Sequence, residues 1–208
     1  MTYHTPLRNA VFAAVTIALT GPALAGRPLT VDDAGTSAGG QGHVELWTDR
    51  ADGAKSYNIS PAYAIREGLE ISALLSRFSP DKITATGLQL KYLFTPSLED
   101  GCNFGAGVGL VRAKADGDSE SESFVNGIAS CNGTPLGNVH FNLGYSKASG
   151  TSGLMSYGVA LEREMGSVTP HIEYFGVEHT KPVLQVGART NGTYLAQLAP
   201  KIGSQGID

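Results

Sequence analysis

Hydrophobic and polar residues alternate without a break along residues 137–147, GNVHFNLGYSK. Val139, Phe141, Leu143 and Tyr145 would lie on one face of a strand, and polar residues such as His140 on the other. This period of two predicts a β-strand with one apolar and one polar face. Similar stretches, separated by turn residues such as Asp-Gly and Asn-Gly, follow one another along most of the chain.

The pattern predicts ten or eleven strands, most of them close to the ~9–11 residues that a tilted membrane-spanning strand needs. Their expected ranges are 43–50, 56–65, 69–78, 85–95, 103–114, 124–131, 137–147, 154–163, 168–176, 183–190 and 193–199. The polar stretch 114–123 is expected to be a loop. Pro61 is expected to mark a bulge, because proline removes one hydrogen-bond donor from a sheet.

The aromatic residues of the apolar faces fall near the two ends of these strands. Tyr63, Tyr92, Phe94 and Phe104 belong to one end, and Tyr57, Tyr145, Tyr157 and Tyr174 to the other. Two aromatic bands at opposite rims are typical of membrane barrels and have no purpose in a soluble β-sandwich, whose strands alternate in the same way. The sequence therefore predicts an all-β protein, an antiparallel up-and-down transmembrane β-barrel of about 10–12 strands over residues 43–199.

The first 25 residues have the organisation of a secretory signal peptide. Arg8 supplies a positive start, residues 10–19 are apolar, and Ala23-Leu24-Ala25 is a small-residue cleavage site. Residues 26–42, GRPLTVDDAGTSAGGQG, show neither strand nor helix period, and we name this segment the strap. We expect it to fold into the barrel lumen or across its periplasmic mouth, and residues 200–208 to form a tail.

Composition narrows the range of partners. The net charge of −4 argues against nucleic acid, which attracts basic surfaces. The five histidines are scattered without ligand spacing, so no metal or other cofactor is predicted. Cys102 and Cys131 are equidistant from the Asp116-Gly117 turn, which predicts that they face each other in a hairpin and form a disulfide.

The polar faces carry ionisable residues that would point into the lumen. They are Glu45, Glu70, Lys91, His140, His171, Glu173 and Arg189. Such residues either tune the passage of a solute or fill a narrow barrel with paired polar groups, and the sequence leaves both interpretations open. The run Gly105, Gly107 and Gly109 on the same face would leave room for a bore or for the strap.

The strap segment Arg27-Pro28-Leu29 to Asp32-Asp33-Ala34, and the later stretch YAIREGLE at 63–70, resemble a family of proteobacterial outer-membrane barrels. Members are described as transporters or as similar to the outer-membrane protein of the MetA pathway of phenol degradation. The resemblance covers most of the mature chain. It implies a barrel fold and an outer-membrane location in a Gram-negative bacterium, and no catalytic residue or substrate carries over with it.

Two functions remain open from the sequence. The first is a narrow pore or facilitator for small solutes, and apolar solutes are among those expected. The second is a closed structural or adhesive barrel whose loops face partners. In both cases the barrel is expected to contact outer-membrane lipid. A lipid-modifying enzyme is less favoured, since no serine stands beside His43 or His171, the two histidines that share a face with a nearby glutamate. The sequence does not indicate an oligomeric state.

Overall fold

A computed structural model of the chain describes residues 29–51, 54–95, 98–190 and 193–198. For residues 50, 51, 189, 190 and 193–198 it describes the backbone only. The expected signal peptide and tail lie outside the described residues. The described part is a single sheet of eleven strands, in the order of the sequence, each antiparallel to its neighbours. No helix in the described residues could cross a membrane.

The eleven strands follow the alternating stretches closely, so the all-β, antiparallel, up-and-down prediction is confirmed. They are β1 (Gly42–Ala51), β2 (Ala54–Arg66), β3 (Leu69–Ser79), β4 (Thr84–Leu93), β5 (Gly101–Ala115), β6 (Asp118–Thr134), β7 (Gly137–Ala148), β8 (Leu154–Glu162), β9 (Val168–Val177), β10 (Val183–Thr190) and β11 (Thr193–Leu198).

The acidic stretch before Phe124 is a strand, so the prediction of a loop there is wrong. β6 begins at Asp118, and a turn of only Asp116 and Gly117 joins it to β5. Both turn residues have positive φ, 47° and 95°, which suits a tight two-residue hairpin turn. The hydrophobic pattern does not predict this part of the strand, because residues 118–123 are polar on both faces and show no alternation of hydrophobicity.

The bulge expected at Pro61 is also absent. β2 pairs with β3 in one register on either side of it, with Ile59 opposite Leu75 and Ala62 opposite Ser72. Pro61 has no N–H to donate, and the β2–β3 ladder is interrupted there without a change of register. The irregularity in this pairing lies further on, between Ala64 and Arg66.

The sheet buries its polar residues and exposes its apolar ones. Leu46 is 66% exposed and Leu143 61%, whereas Glu45 is 0% and Lys91 2% exposed. A soluble protein has the opposite arrangement, with charged residues almost never fully buried. We call the side that carries Glu45 and Lys91 the inward side, because the sheet curves around the strap there.

The curvature follows from the contacts of the strap. Residues 30–37 meet side chains of β3, β4, β6, β7 and β9, all on the inward side. One short segment can reach so many strands only if the sheet wraps around it. Within the described residues, β1 and β11 are the two edges of the sheet, and no hydrogen-bonded pairing joins them.

Cys102 and Cys131 are directly opposite each other in the β5–β6 hairpin and form a disulfide, with their Cα atoms 4.0 Å apart. Cys102 lies on the outward side, in phase with Phe104. The pairing follows from the register that the Asp116-Gly117 turn sets.

This geometry predicts that protein unfolded in a thiol-alkylating reagent without reductant carries no label, because both thiols are already oxidised. After reduction, mass spectrometry should find both cysteines labelled. Full labelling before reduction would contradict the pairing.

Candidate functional site

The interior of the curved sheet is occupied by the strap, and this is the candidate functional site. Thr30, Val31 and Asp32 are at most 4% exposed. Val31 and Leu29 pack with Ala160 and Phe175 in a small apolar cluster. Gly158 of β8 makes room for it, since a Cβ there would lie 2.7 Å from Val31 Cγ2.

Only the end of the strap pairs with a strand, where Gly40 N donates to Ala64 O of β2 at 2.8 Å. Between Val31 and Ser37, backbone N–H groups instead find acceptors among the wall side chains. Val31 N donates to Glu173 Oε2 at 2.9 Å, and Asp32 N donates to Asn142 Oδ1 at 2.7 Å. Asn142 completes a second bond, from its Nδ2 to the carbonyl oxygen of Asp32 at 2.8 Å.

Two further donors are satisfied in the same way. Ala34 N donates to Ser130 Oγ at 2.7 Å, and Ser37 N donates to Glu70 Oε2 at 2.9 Å. The strap is therefore docked through its backbone onto polar wall residues, and the side chains of β3, β6, β7 and β9 serve as its acceptors.

A buried ion pair anchors the middle of the strap. Lys91 Nζ of β4 lies 2.8 Å from Asp32 Oδ1, and both side chains are at most 3% exposed. A second carboxylate, Asp33 Oδ1, lies 3.8 Å from the same nitrogen. Lys91 of the wall thus contacts both neighbouring acids of the strap. Their negative charges compensate the burial of its ammonium group.

Glu45 of β1 differs from the other wall acids. It is 0% exposed, yet neither of its carboxylate oxygens accepts a hydrogen bond from the described residues. Glu70 and Glu173, by contrast, each accept a strap N–H. The expectation that all inward ionisable residues are paired is therefore not met at Glu45.

His171 and Glu173 are on one face of β9, as their spacing predicts, with His171 Nε2 4.0 Å from Glu173 Oε1. The same carboxylate oxygen accepts a hydrogen bond from Gln185 Nε2 of β10 at 3.1 Å. Glu173 thus links the strap to two neighbouring strands. Arg189 lies in β10, but its side chain is outside the described part.

The sheet brings together one constellation that the sequence did not reveal: Ser130, His140 and Glu162 on adjacent strands. Ser130 Oγ is 2.7 Å from His140 Nδ1, and His140 Nε2 is 3.7 Å from Glu162 Oε1. These three residues come together through the register of β6, β7 and β8, which the sequence alone does not give. Ser130 Oγ accepts the Ala34 N–H and is buried, and 3.7 Å is too long for a hydrogen bond, so the geometry of a hydrolase triad is incomplete.

The glycine run on β5 does not provide the space for the strap. A Cβ at Gly105 would lie 2.9 Å from Leu93 Cδ2, and one at Gly109 would lie 2.5 Å from Phe124 Cζ. Side chains of β4 and β6 therefore cover these glycines. The strap instead crosses Gly158 on the other side of the interior.

Two small cavities border the interior among the described residues. One cavity of about 40 Å³ lies between Val31 and Phe175, and one of about 20 Å³ lies near Trp47 and Gly87. Each is large enough for one to a few water molecules. Within the described residues, no group of three or more His, Cys, Asp or Glu is arranged to hold a metal ion.

Comparison with known proteins adds no relative: no family model, curated protein or solved structure matches the chain.

Replacement of Lys91 by methionine should loosen the strap, because Asp32 would then be buried without its partner. Breaking a buried pair from one side costs about 3–5 kcal/mol. We expect lower stability to denaturant in detergent and earlier proteolytic cleavage within residues 29–41.

Lys181→Met in an exposed turn is the matched control, with an expected change below about 0.5 kcal/mol. Adding Asp32→Asn to Lys91→Met should restore part of the loss. A Lys91→Met protein as stable as the Lys181→Met protein would show that the ion pair does not hold the strap.

Proposed function

We propose that the chain is an outer-membrane β-barrel of a Gram-negative bacterium, exported with a cleaved signal peptide, and that it acts as a narrow pore whose lumen the strap closes. The observation that carries the membrane location is the inverted distribution of residues. Leucines on the outward side are up to 66% exposed, while the wall acids are buried. Lipid stabilises such an outward face, whereas water does not.

The aromatic residues support the same location. The eight residues named from the sequence are 40–64% exposed, and they lie towards the two ends of their strands. Lys55 Nζ lies over the ring of Tyr57 at 4.4 Å, and the guanidinium of Arg66 over Tyr92 at 5.7 Å. Aromatic rings with long cationic side chains beside them are typical of the boundary between lipid and water.

A barrel in lipid also has to close its edges, since unpaired backbone groups cost several kcal/mol each in hydrocarbon. The strap favours closure, because it fills the space that the curved sheet surrounds and offers polar partners to the inward side chains. In our proposal β1 pairs with the end of the meander, and the strap lies along the axis of the lumen.

The docking chemistry of the strap favours a plug that can be released. Residues 31–37 are held by side-chain hydrogen bonds and one ion pair rather than by a strand ladder, and each of these groups can be hydrated when this part of the strap leaves. The wall that would then line the pore carries Glu45, Glu70, Lys91, His140 and Glu173. Such a lining suits a small polar solute better than the apolar one considered from the sequence.

A closed structural barrel is the second candidate, and the water-sized cavities favour it. Beside the strap, the cavity between Val31 and Phe175 measures about 40 Å³, which is room for no more than a few water molecules. The two candidates therefore differ in one respect only, whether the strap leaves its site while the barrel stays folded.

Conductance in a planar lipid bilayer separates them. We expect low conductance from the whole mature chain, a marked increase on deletion of residues 29–40, and more frequent openings in Lys91→Met than in the Lys181→Met control. If the deletion variant folds and still does not conduct, the barrel is closed by its own side chains and the structural function is favoured.

A further inference from the structure

The two sides of the sheet differ in charge as well as in hydrophobicity. Among strand residues with described side chains, every Asp and Glu falls in the inward phase of the alternation, including Glu120 and Glu122 of the β5–β6 hairpin. Five cations fall in the outward phase at the end of the strands nearest the β5–β6 turn. They are Lys55, Arg77, Arg112, Lys114 and Lys147, and we call them the basic rim.

The register places much of the basic rim together with hydroxyl groups. Arg77 is opposite Thr84, and Thr84 is opposite Lys114. In the next outward row Thr86 is opposite Arg112. Adjacent strands lie ~4.8 Å apart, so Arg77 and Lys114 are separated by roughly 10 Å with a threonine between them.

No ion pair within the described residues neutralises these cations. Arg112 Nη2 donates to Ser119 Oγ at 3.0 Å, a neutral partner, and Lys55 lies over the ring of Tyr57. Acids at this end lie in the turns, at Asp81, Asp116 and Glu178, or on the inward side. The outward surface thus presents positive charge and hydroxyl donors together.

An apolar surface continues directly below the basic rim. Leu75, Leu88 and Leu110 are 48%, 61% and 63% exposed, with Leu88 directly opposite Leu110. A ligand that covers both surfaces needs an anionic head and hydrocarbon chains, which is the chemistry of an anionic lipid. The opposite end has a single described outward strand cation, Arg66, so the arrangement belongs to one leaflet.

The β5–β6 hairpin indicates which leaflet this is. Its strands of 15 and 17 residues exceed the ~9–11 that span a bilayer, and at the basic-rim end β6 continues through residues 118–121 beyond its last pair with β7, Glu122 with Ala148. The longer projections of outer-membrane barrels lie outside the cell. On the basis of the proposed membrane location, we infer that the basic rim binds the phosphate groups of lipopolysaccharide, the phosphorylated glycolipid of the outer leaflet. Arg77, Arg112 and Lys114 contact phosphate, and the leucines below contact acyl chains.

The test uses bisphosphorylated lipid A in phosphatidylcholine vesicles that contain the refolded mature chain, with native mass spectrometry to count bound lipid. The variant Arg112→Gln with Lys114→Gln removes two cations from the basic rim. The matched control, Arg66→Gln with Arg163→Gln, removes two from the opposite end. At the contribution expected of each surface cation, the rim variant should bind lipid A roughly thirty-fold more weakly, and the control within about twofold of wild type.

Equal binding by the rim variant and wild type, or equal loss in the control, would overturn the inference. Displacement of lipid A by millimolar inorganic phosphate would also overturn it, because the site would then be selective for free phosphate. Vesicle flotation of each variant separates this failure from that of the proposed function. A chain that does not float with vesicles refutes the membrane location and the inference together, whereas one that floats but ignores lipid A refutes the inference alone.

Discussion

The ion pair between Lys91 and Asp32, 2.8 Å long and almost fully buried, links the strap to the sheet that surrounds it. Around it, Glu70, Asn142 and Glu173 accept N–H groups from residues 31–37, the part of the strap that does not pair with a strand. The strap satisfies the hydrogen-bonding groups of these side chains, and they satisfy its backbone. Without the strap, each of these buried polar groups would need water as a partner. A polar wall and an irregular plug therefore stabilise each other.

The polar interior determines how the outer surface is used. Because side chains alternate along each strand, the neighbours of an inward polar residue point outward. Away from the basic rim, many of these outward residues are leucine, isoleucine, valine or tyrosine. A face of this kind is unfavourable in water and favourable in hydrocarbon, which connects the docking of the strap to the proposed membrane location. The disulfide at one end of the β5–β6 hairpin and the tight Asp116-Gly117 turn at the other fix the register of the longest strands.

The sequence predicted the antiparallel, up-and-down sheet well because alternation reports directly on the two faces of a strand, and the predicted boundaries were right to within a few residues for most strands. It failed at residues 118–123, where both faces are polar, and at Pro61, where the ladder absorbs a missing donor without a bulge. Glu70, Lys91 and Glu173 could be assigned to the inward side, but their strap partners could not, because an irregular segment has no period. The Ser130–His140 contact was likewise hidden, since it depends on cross-strand register.

The central claim, that the outward face lies in lipid, is tested most directly by the free energy of folding into phospholipid vesicles for two leucine variants of similar exposure. Leu143, 61% exposed, lies within the apolar face of β7, and Leu136, 66% exposed, lies in the β6–β7 turn. In a bilayer Leu143→Arg should cost about 2–4 kcal/mol and Leu136→Arg about 0–1 kcal/mol. If both substitutions change the folding free energy by less than about 0.5 kcal/mol, as exposed sites in water do, the membrane location is contradicted.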